Sequence, residues 1–536
     1  MFYSARTARS GSVQRPVRTR AFPVEARRWV EARTATAWPG ECNGAPVGGL
    51  AMHADSRAMA ADAIAAAEAR LHPLAEPALE QALAQRRARI DEAFAHVSAT
   101  LERLAHEAIH ARSNAPALAA IAQQWALDFG DVATDFHWAR PLPWGQIHAH
   151  AVLATFAQLA SELKSLAELR HSDGEAVETL VERFGFHAID LAPCADGRLA
   201  GLTEHILRLP PGIVTARRSY AGAMFDIDEA IAAWRAVELK RRRHGAASER
   251  PTRFLKIGVY HFSGTRPGHE GCAAHASDDR RAMQGLLERL TELRAAVEVL
   301  HGESIATLLV GVDTDQDAIR VHVADPSGQL SLDRFVSSAE LWHLTRSLDR
   351  EAAKLLIRDR VAACARVPVD DRASEGMRWL CGYLLKNNIG QIEAVARQFG
   401  GAYPELGHAE KLIVAGDPID QVQLRNLAFQ TQFTTLEEGE GDIAVGLRLL
   451  GHTHAPRGLA VPILAHAGYD PRLPGARRRA AERAARLARA IDARHGDEPA
   501  CPIVVRGAVG DGRGHIEFVT PPRLALDGVG SGTEGH

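Results

Sequence analysis

In the stretch LVERFGFHAIDLAPCADGRL, residues 180–199, the run FHAIDLAPC reads as a buried strand. Cys194, Asp196 and Arg198 follow at two-residue steps where that strand ends. The stretch has a weak counterpart in AVARQFGGAYPELGHAEKLIVAGDPI, residues 394–419. Three further segments repeat in the same order. GVYHFSG (258–264) is echoed by PILAHAG (462–468), which sets His466 where His261 stands. DDRRAMQGLLERLTELRAAVE (278–298) is echoed by GARRRAAERAARLARAIDARHG (475–496), and IATLLVGVDTDQDAIRVHVAD (305–325) by CPIVVRGAVGDGRGHIEFVTP (501–521). Each match is weak alone, but four in one order argue for a duplicated unit. Its rhythm of strand, helix, strand predicts an α/β domain with a central, largely buried sheet.

The copy lacks what the first unit carries. Placing Asp417 against Asp196 puts Ala415 opposite Cys194 and Ile419 opposite Arg198, and no cysteine follows His466 as Cys272 follows His261. Packing needs the apolar pattern, whereas chemistry needs a few side chains. The thiols and Arg198 are therefore not demanded by the architecture.

Around the duplication the chain divides into five parts. Residues 1–54 form a basic tail with eight arginines by residue 33 against two glutamates, interrupted by Gly11, Pro16 and Pro23. Such a tail is expected to be disordered: a solvated tail with no partner, a presequence, a nucleic-acid arm or a dock for an acidic partner. Residues 55–171 carry apolar residues at three- and four-residue steps and predict an α-helical domain. Residues 172–389 are the first α/β unit, 390–524 its degenerate copy, and 525–536 a flexible tail.

Composition narrows the class. The 536 residues carry a net charge of -3 and are 46% hydrophobic, so nothing global favours nucleic acid or a membrane. No apolar run reaches the ~18 to 20 residues needed to span a bilayer. The six cysteines, Cys42, Cys194, Cys272, Cys364, Cys381 and Cys501, are too scattered for a disulfide framework and suit a reducing compartment.

Cys194, His261 and Cys272 each stand at a strand end or helix start, where ligands bind in α/β sheets. Two thiolates and an imidazole suit a zinc ion with an open fourth position. His269 or His275 could close that position, and a Cys194–Cys272 disulfide is the alternative that gives His261 no role. With zinc, Arg198 can grip the Asp196 carboxylate by its planar fork and keep it off the metal. Asp196 would then orient a zinc-bound hydroxide, making the pair Asp196–Arg198 a catalytic dyad.

This pattern, C-x-D-x-R after a first strand, then His, then Cys, resembles the zinc site of β-class carbonic anhydrases. Most of that class read H-x-x-C, whereas here ten residues separate His261 from Cys272. The long spacing, the helical part in front and the degenerate copy behind resemble the carboxysome shell carbonic anhydrase family, formerly ε-class, from about Asp55 to Pro522. GIVTARRSYAGAMFDIDEAIAAWRAVE and KIGVYHFSG resemble it too. The resemblance implies an α/β (α+β) catalytic domain of β-carbonic-anhydrase type, preceded by the helical domain and followed by the copy. It implies one zinc on Cys194, His261 and Cys272, the dyad Asp196 and Arg198, and reversible conversion of CO2 to bicarbonate inside the carboxysome, a bacterial microcompartment. Zinc hydroxide would be the nucleophile, and His269 and His275 the nearest histidines for the proton. It further implies a homodimer or higher assembly and a tail that tethers Rubisco, with shell proteins as further partners. A non-catalytic Rubisco-organising scaffold and another zinc-hydroxide hydrolase are the competing readings.

Overall fold

The computed structural model of the chain describes residues 70–110, 114–129, 142–163, 184–209, 214–243, 253–301, 305–324, 330–364, 372–419, 424–496 and 502–522. The basic tail 1–54, the segment 525–536, Cys42 and Cys501 lie outside the described residues. Three helices come first: α1 (Pro77–His110), α2 (Ala115–Trp125) and α3 (Trp144–Glu162).

The first α/β unit has six strands. They are β1 (Phe186–Pro193), β2 (Val214–Arg217), β3 (Arg253–Phe262), β4 (Ile305–Asp313), β5 (Ala318–Ala324) and β6 (Leu330–Ser337). Their order is β2-β1-β3-β4-β5-β6; the pairs among β2, β1, β3 and β4 are parallel and the last two antiparallel. β3 is buried along nearly its whole length, which is why it reads as an unbroken apolar run. Helix α4 (Ile227–Arg243) leads into β3, and α5 (Asp279–His301) crosses from β3 to β4. In α5, Ala282, Leu286, Leu290, Leu293 and Val297 are buried, one stripe at helical spacing. Asp278 starts this helix: its Oδ1 accepts the Arg281 amide at 2.9 Å. Gly258 lets α5 approach β3, since a Cβ there would lie 2.9 Å from Leu286. Helices α6 (Ser338–Thr345), α7 (Arg350–Cys364) and α8 (Arg372–Phe399) complete the unit, and α8 runs unbroken through residue 390.

The second unit contains β7 (Leu412–Gly416), β8 (Ala428–Thr431), α9 (Leu436–His454), β9 (Val461–Gly468), α10 (Ala476–His495), β10 (Ile503–Gly510) and β11 (Ile516–Phe518). Its order, β8-β7-β9-β10-β11, repeats the β2-β1-β3-β4-β5 order of the first sheet. Register agrees with the sequence alignment. Pro193 pairs with Val259, which sets Ala195 level with His261; Gly416 pairs with His466. Asp417 thus stands at the place of Asp196, and Ala415 at the place of Cys194.

The helices α1–α3 pack on the second sheet. Val97, Leu101, Ile121, Trp125, Ile147, Leu153 and Phe156 share a core with Leu412, Val414, Leu464 and Ala508. Among the described residues they form a layer over that sheet and share its core. Among the described residues no helix is long and apolar enough to cross a membrane.

Candidate metal centre

β1 ends at Pro193, but its pairing continues for two residues. The Cys194 amide donates to Val259 O at 3.1 Å and the Ala195 amide to Tyr220 O at 2.9 Å. His261 is the next-to-last residue of β3. Cys272 returns to the same place after the loop 263–271. That loop is pinned by acids at the end of β4: Gly264 N donates to Asp313 Oδ1 at 3.0 Å, and Ser263 Oγ to Asp315 Oδ2 at 2.9 Å. The ten intervening residues are therefore a fixed path, and the departure from H-x-x-C does not displace the thiol.

Cys194, His261 and Cys272 are all buried, and their ligand atoms lie within 4.8 Å of one another. The sulfurs are 3.8 Å apart, and no disulfide joins the described cysteines. Zn–S bonds of about 2.3 Å at a tetrahedral angle place two sulfurs about 3.8 Å apart, so the spacing fits that ion. His261 Nε2 is buried with no hydrogen-bond partner, the orphaned donor atom a ligand site requires. Without a metal the two sulfurs are hydrogen-bonded to each other. The hydrogen bond between them, then burial, raises Cys194 well above its usual value; the same bond, which opposes burial at Cys272, lowers Cys272.

Asp196 and Arg198 form a buried ion pair beside this group. Arg198 Nε and Nη2 donate to Asp196 Oδ1 and Oδ2 at 3.0 and 2.9 Å, and the Arg198 amide donates to Oδ1 at 2.9 Å. Burial works against the Asp196 charge, but Arg198, His261 and His408 outweigh it and hold the carboxyl well below the usual range. Asp196 Oδ2 lies 3.3 Å from His261 Nε2. The other Arg198 nitrogen, Nη1, donates to Glu270 O at 2.8 Å and faces Thr314 Oγ1 at 3.3 Å.

Two residues that the sequence did not single out join the site. His408 Nε2 is 4.0 Å from Asp196 Oδ2, and its Nδ1 is 3.2 Å from Glu410 Oε1. Burial opposes protonation of His408, but Asp196 and the bond to Glu410 prevail and raise its pKa. Asp196, His408 and Glu410 form a second group with metal-ligand atoms in reach, though Arg198 already occupies the carboxylate. Local sequence held no signal for His408, because GHAE resembles an ordinary polar turn. Of the two histidines considered earlier, His269 is exposed, and His275 Nε2 donates to Gly222 O at 3.3 Å.

The equivalent place in the second unit has no thiols. Its Asp417 still pairs with an arginine, Arg483 from α10, and accepts the Gly468 amide at 2.7 Å. His466 Nδ1 donates to Asp417 O at 2.8 Å. The position opposite Arg198 is indeed Ile419, and a different arginine has taken over the acid.

With this geometry established, two family models match in tandem. One described as carboxysome shell carbonic anhydrase, catalytic domain, matches residues 176–408; its C-terminal counterpart matches residues 409–512. Similar curated proteins bear the same name. The Halothiobacillus neapolitanus protein is 46% identical over 320 residues, 58% of this chain and 62% of its own length. The Hydrogenovibrio crunogenus protein is 35% identical over 353 residues, covering 65% and 67% of the two chains. A Prochlorococcus marinus subsp. pastoris protein is 31% identical over 432 residues, 79% of this chain and 84% of its own. The chain belongs to the carboxysome shell carbonic anhydrase family.

Proposed function

We propose that the chain is a zinc carbonic anhydrase with a catalytic domain of β-carbonic-anhydrase type, interconverting CO2 and bicarbonate within the carboxysome and supplying CO2 to Rubisco. The observation that carries this reading is the buried Cys194–His261–Cys272 group with the Asp196–Arg198 pair against it. Those three residues would hold zinc. When bound, zinc supplies a Lewis acid that makes water a nucleophile near neutral pH, for which carbonic anhydrase is itself the standard case.

The chain's own residues do the rest. Arg198 locks both Asp196 oxygens, so the carboxylate stays charged and cannot swing onto the metal. Asp196 Oδ2 then accepts a hydrogen bond from the reacting water and fixes its orientation. Hydration releases one proton, and His408 is the group placed to take it from the Asp196 side. Glu410 Oε1 accepts the Nδ1 proton of His408, which leaves Nε2 as the basic nitrogen facing the dyad. The basic tail 1–54 would tether Rubisco through its arginines, with shell proteins as further contacts and a homodimer as the working unit.

Stopped-flow CO2 hydration with metal analysis tests the reading. Cys272→Ser should lose zinc and activity together; full zinc with undiminished turnover overturns the assignment.

A further inference from the structure

The second unit carries no thiol at the places of Cys194 and Cys272, yet it touches both thiol-bearing segments of the first. Cys194 is followed by Ala195 and Cys272 by Ala273, and both alanines pack in the core of the second unit with Ile413, Phe429, Ile443 and Ile463. Ala221 joins them there. Backbone bonds add to this contact: Gln430 N donates to Ala195 O at 3.1 Å, and Asn426 N to Gly197 O at 2.9 Å.

The turn 220–223 lies between the two segments and bonds to each. On one side Tyr220 N donates to Pro193 O at 3.1 Å and Tyr220 O accepts the Ala195 amide at 2.9 Å, so the turn grips the chain on both sides of Cys194. On the other side Gly222 O accepts His275 Nε2 at 3.3 Å. His275 N in turn donates to Cys272 O at 3.0 Å. Gly222 has φ +67°, and a Cβ there would lie 2.6 Å from His275 Nε2, so only glycine permits this approach.

One side chain of the second unit holds the turn. Asp442, on α9, accepts the Ala221 amide at 3.0 Å and the Thr431 hydroxyl at 2.6 Å, both at Oδ2. Thr431 is the last residue of β8 and is fully buried. We propose that Asp442 is a positioning residue for the metal site: by anchoring Ala221 it sets the placement of the Cys194 and Cys272 segments relative to each other. The duplicated unit thus works as the second jaw of a clamp whose first jaw carries the ligands. This rests on the zinc reading of those thiols, but the placement of the thiols themselves can be measured without metal.

The test uses the full chain with Asp442→Ala, Asp442→Asn and Thr431→Val. In metal-free protein, labelling of Cys194 and Cys272 by a disulfide reagent, mapped by mass spectrometry, should be roughly tenfold faster in Asp442→Ala, the effect of losing a buried hydrogen bond to backbone. Cobalt loaded into the site should show shifted d–d bands in that variant. With its amide oxygen at the place of Oδ2, Asn can accept from both the Ala221 amide and the Thr431 hydroxyl, so Asp442→Asn should restore both signals. Thr431→Val keeps the fold with little change of shape and should give an intermediate effect. Native labelling rates and native cobalt bands in both Asp442→Ala and Thr431→Val overturn the inference. Failure of the native chain to take up cobalt overturns the zinc reading instead, and the labelling rates then decide the inference alone.

Discussion

Arg198 uses its whole side chain within the site: two nitrogens on Asp196, and the remaining contacts on Glu270, Gly271, Thr314 and His261 Nδ1. It is 2% exposed, as is Asp196. Removing one member of such a buried pair strands the other, at a cost of about 3 to 5 kcal/mol. Arg198→Ala should therefore lower the unfolding free energy by that amount and reduce kcat by at least ~10²-fold, while zinc stays bound. Normal turnover would remove the dyad from the account. His408 gives a separate signature. His408→Gln should lower kcat by roughly 10²-fold with little change in zinc content, and added imidazole should recover part of the loss. Its folded pKa is raised, so its contribution to stability is fully present below the unfolded value of about 6.5 and is lost as pH rises through the folded value. The gap in melting temperature between native protein and His408→Gln should be widest below about pH 6.5 and close in alkali. A gap that widens in alkali contradicts the raised pKa.

At the level of elements, much of the site could be read from local sequence. The apolar run of β1, the strand before His261 and the helix after Cys272 each carry their own period, so the three candidate ligands could be placed at element ends. The sheet register then agrees with the alignment that put Ala415 against Cys194. Contacts between distant segments could not be read this way. His408 meets Asp196 across more than two hundred residues, Arg483 reaches Asp417 from a helix, and β8 bonds to the loop after Cys194. No periodicity encodes such meetings, because they depend on how two packed units face one another. The helices α1–α3 show the same limit. Their stripes show that they bury an apolar face, but not that its partner is the second sheet, far along the chain. The unit boundary expected at 389/390 falls inside the continuous helix α8, whose apolar pattern passes through that point without a break.

For the whole molecule, the duplication sets a unit with the thiol group beside a unit without it. The first unit carries Cys194 and Cys272, and the second carries an acid–arginine pair at the equivalent place while packing against the thiol segments. The tail 1–54, with eight arginines against three glutamates, is positive, whereas the full chain is at a net -3, so the rest of the chain is acidic. Deleting residues 1–50 should leave CO2 hydration unchanged and abolish Rubisco association. Association of the full chain should weaken as salt rises through ~0.1 to 0.5 M, since exposed charges are screened over about 10 Å at the lower value. Salt-independent binding would contradict an electrostatic tether. The central claim is that Cys194, His261 and Cys272 form one catalytic zinc site. Its most direct test is the metal content of purified chain measured alongside CO2 hydration. The account predicts one zinc per chain, with zinc and activity lost together in Cys194→Ser; a metal-free chain with full activity would contradict it.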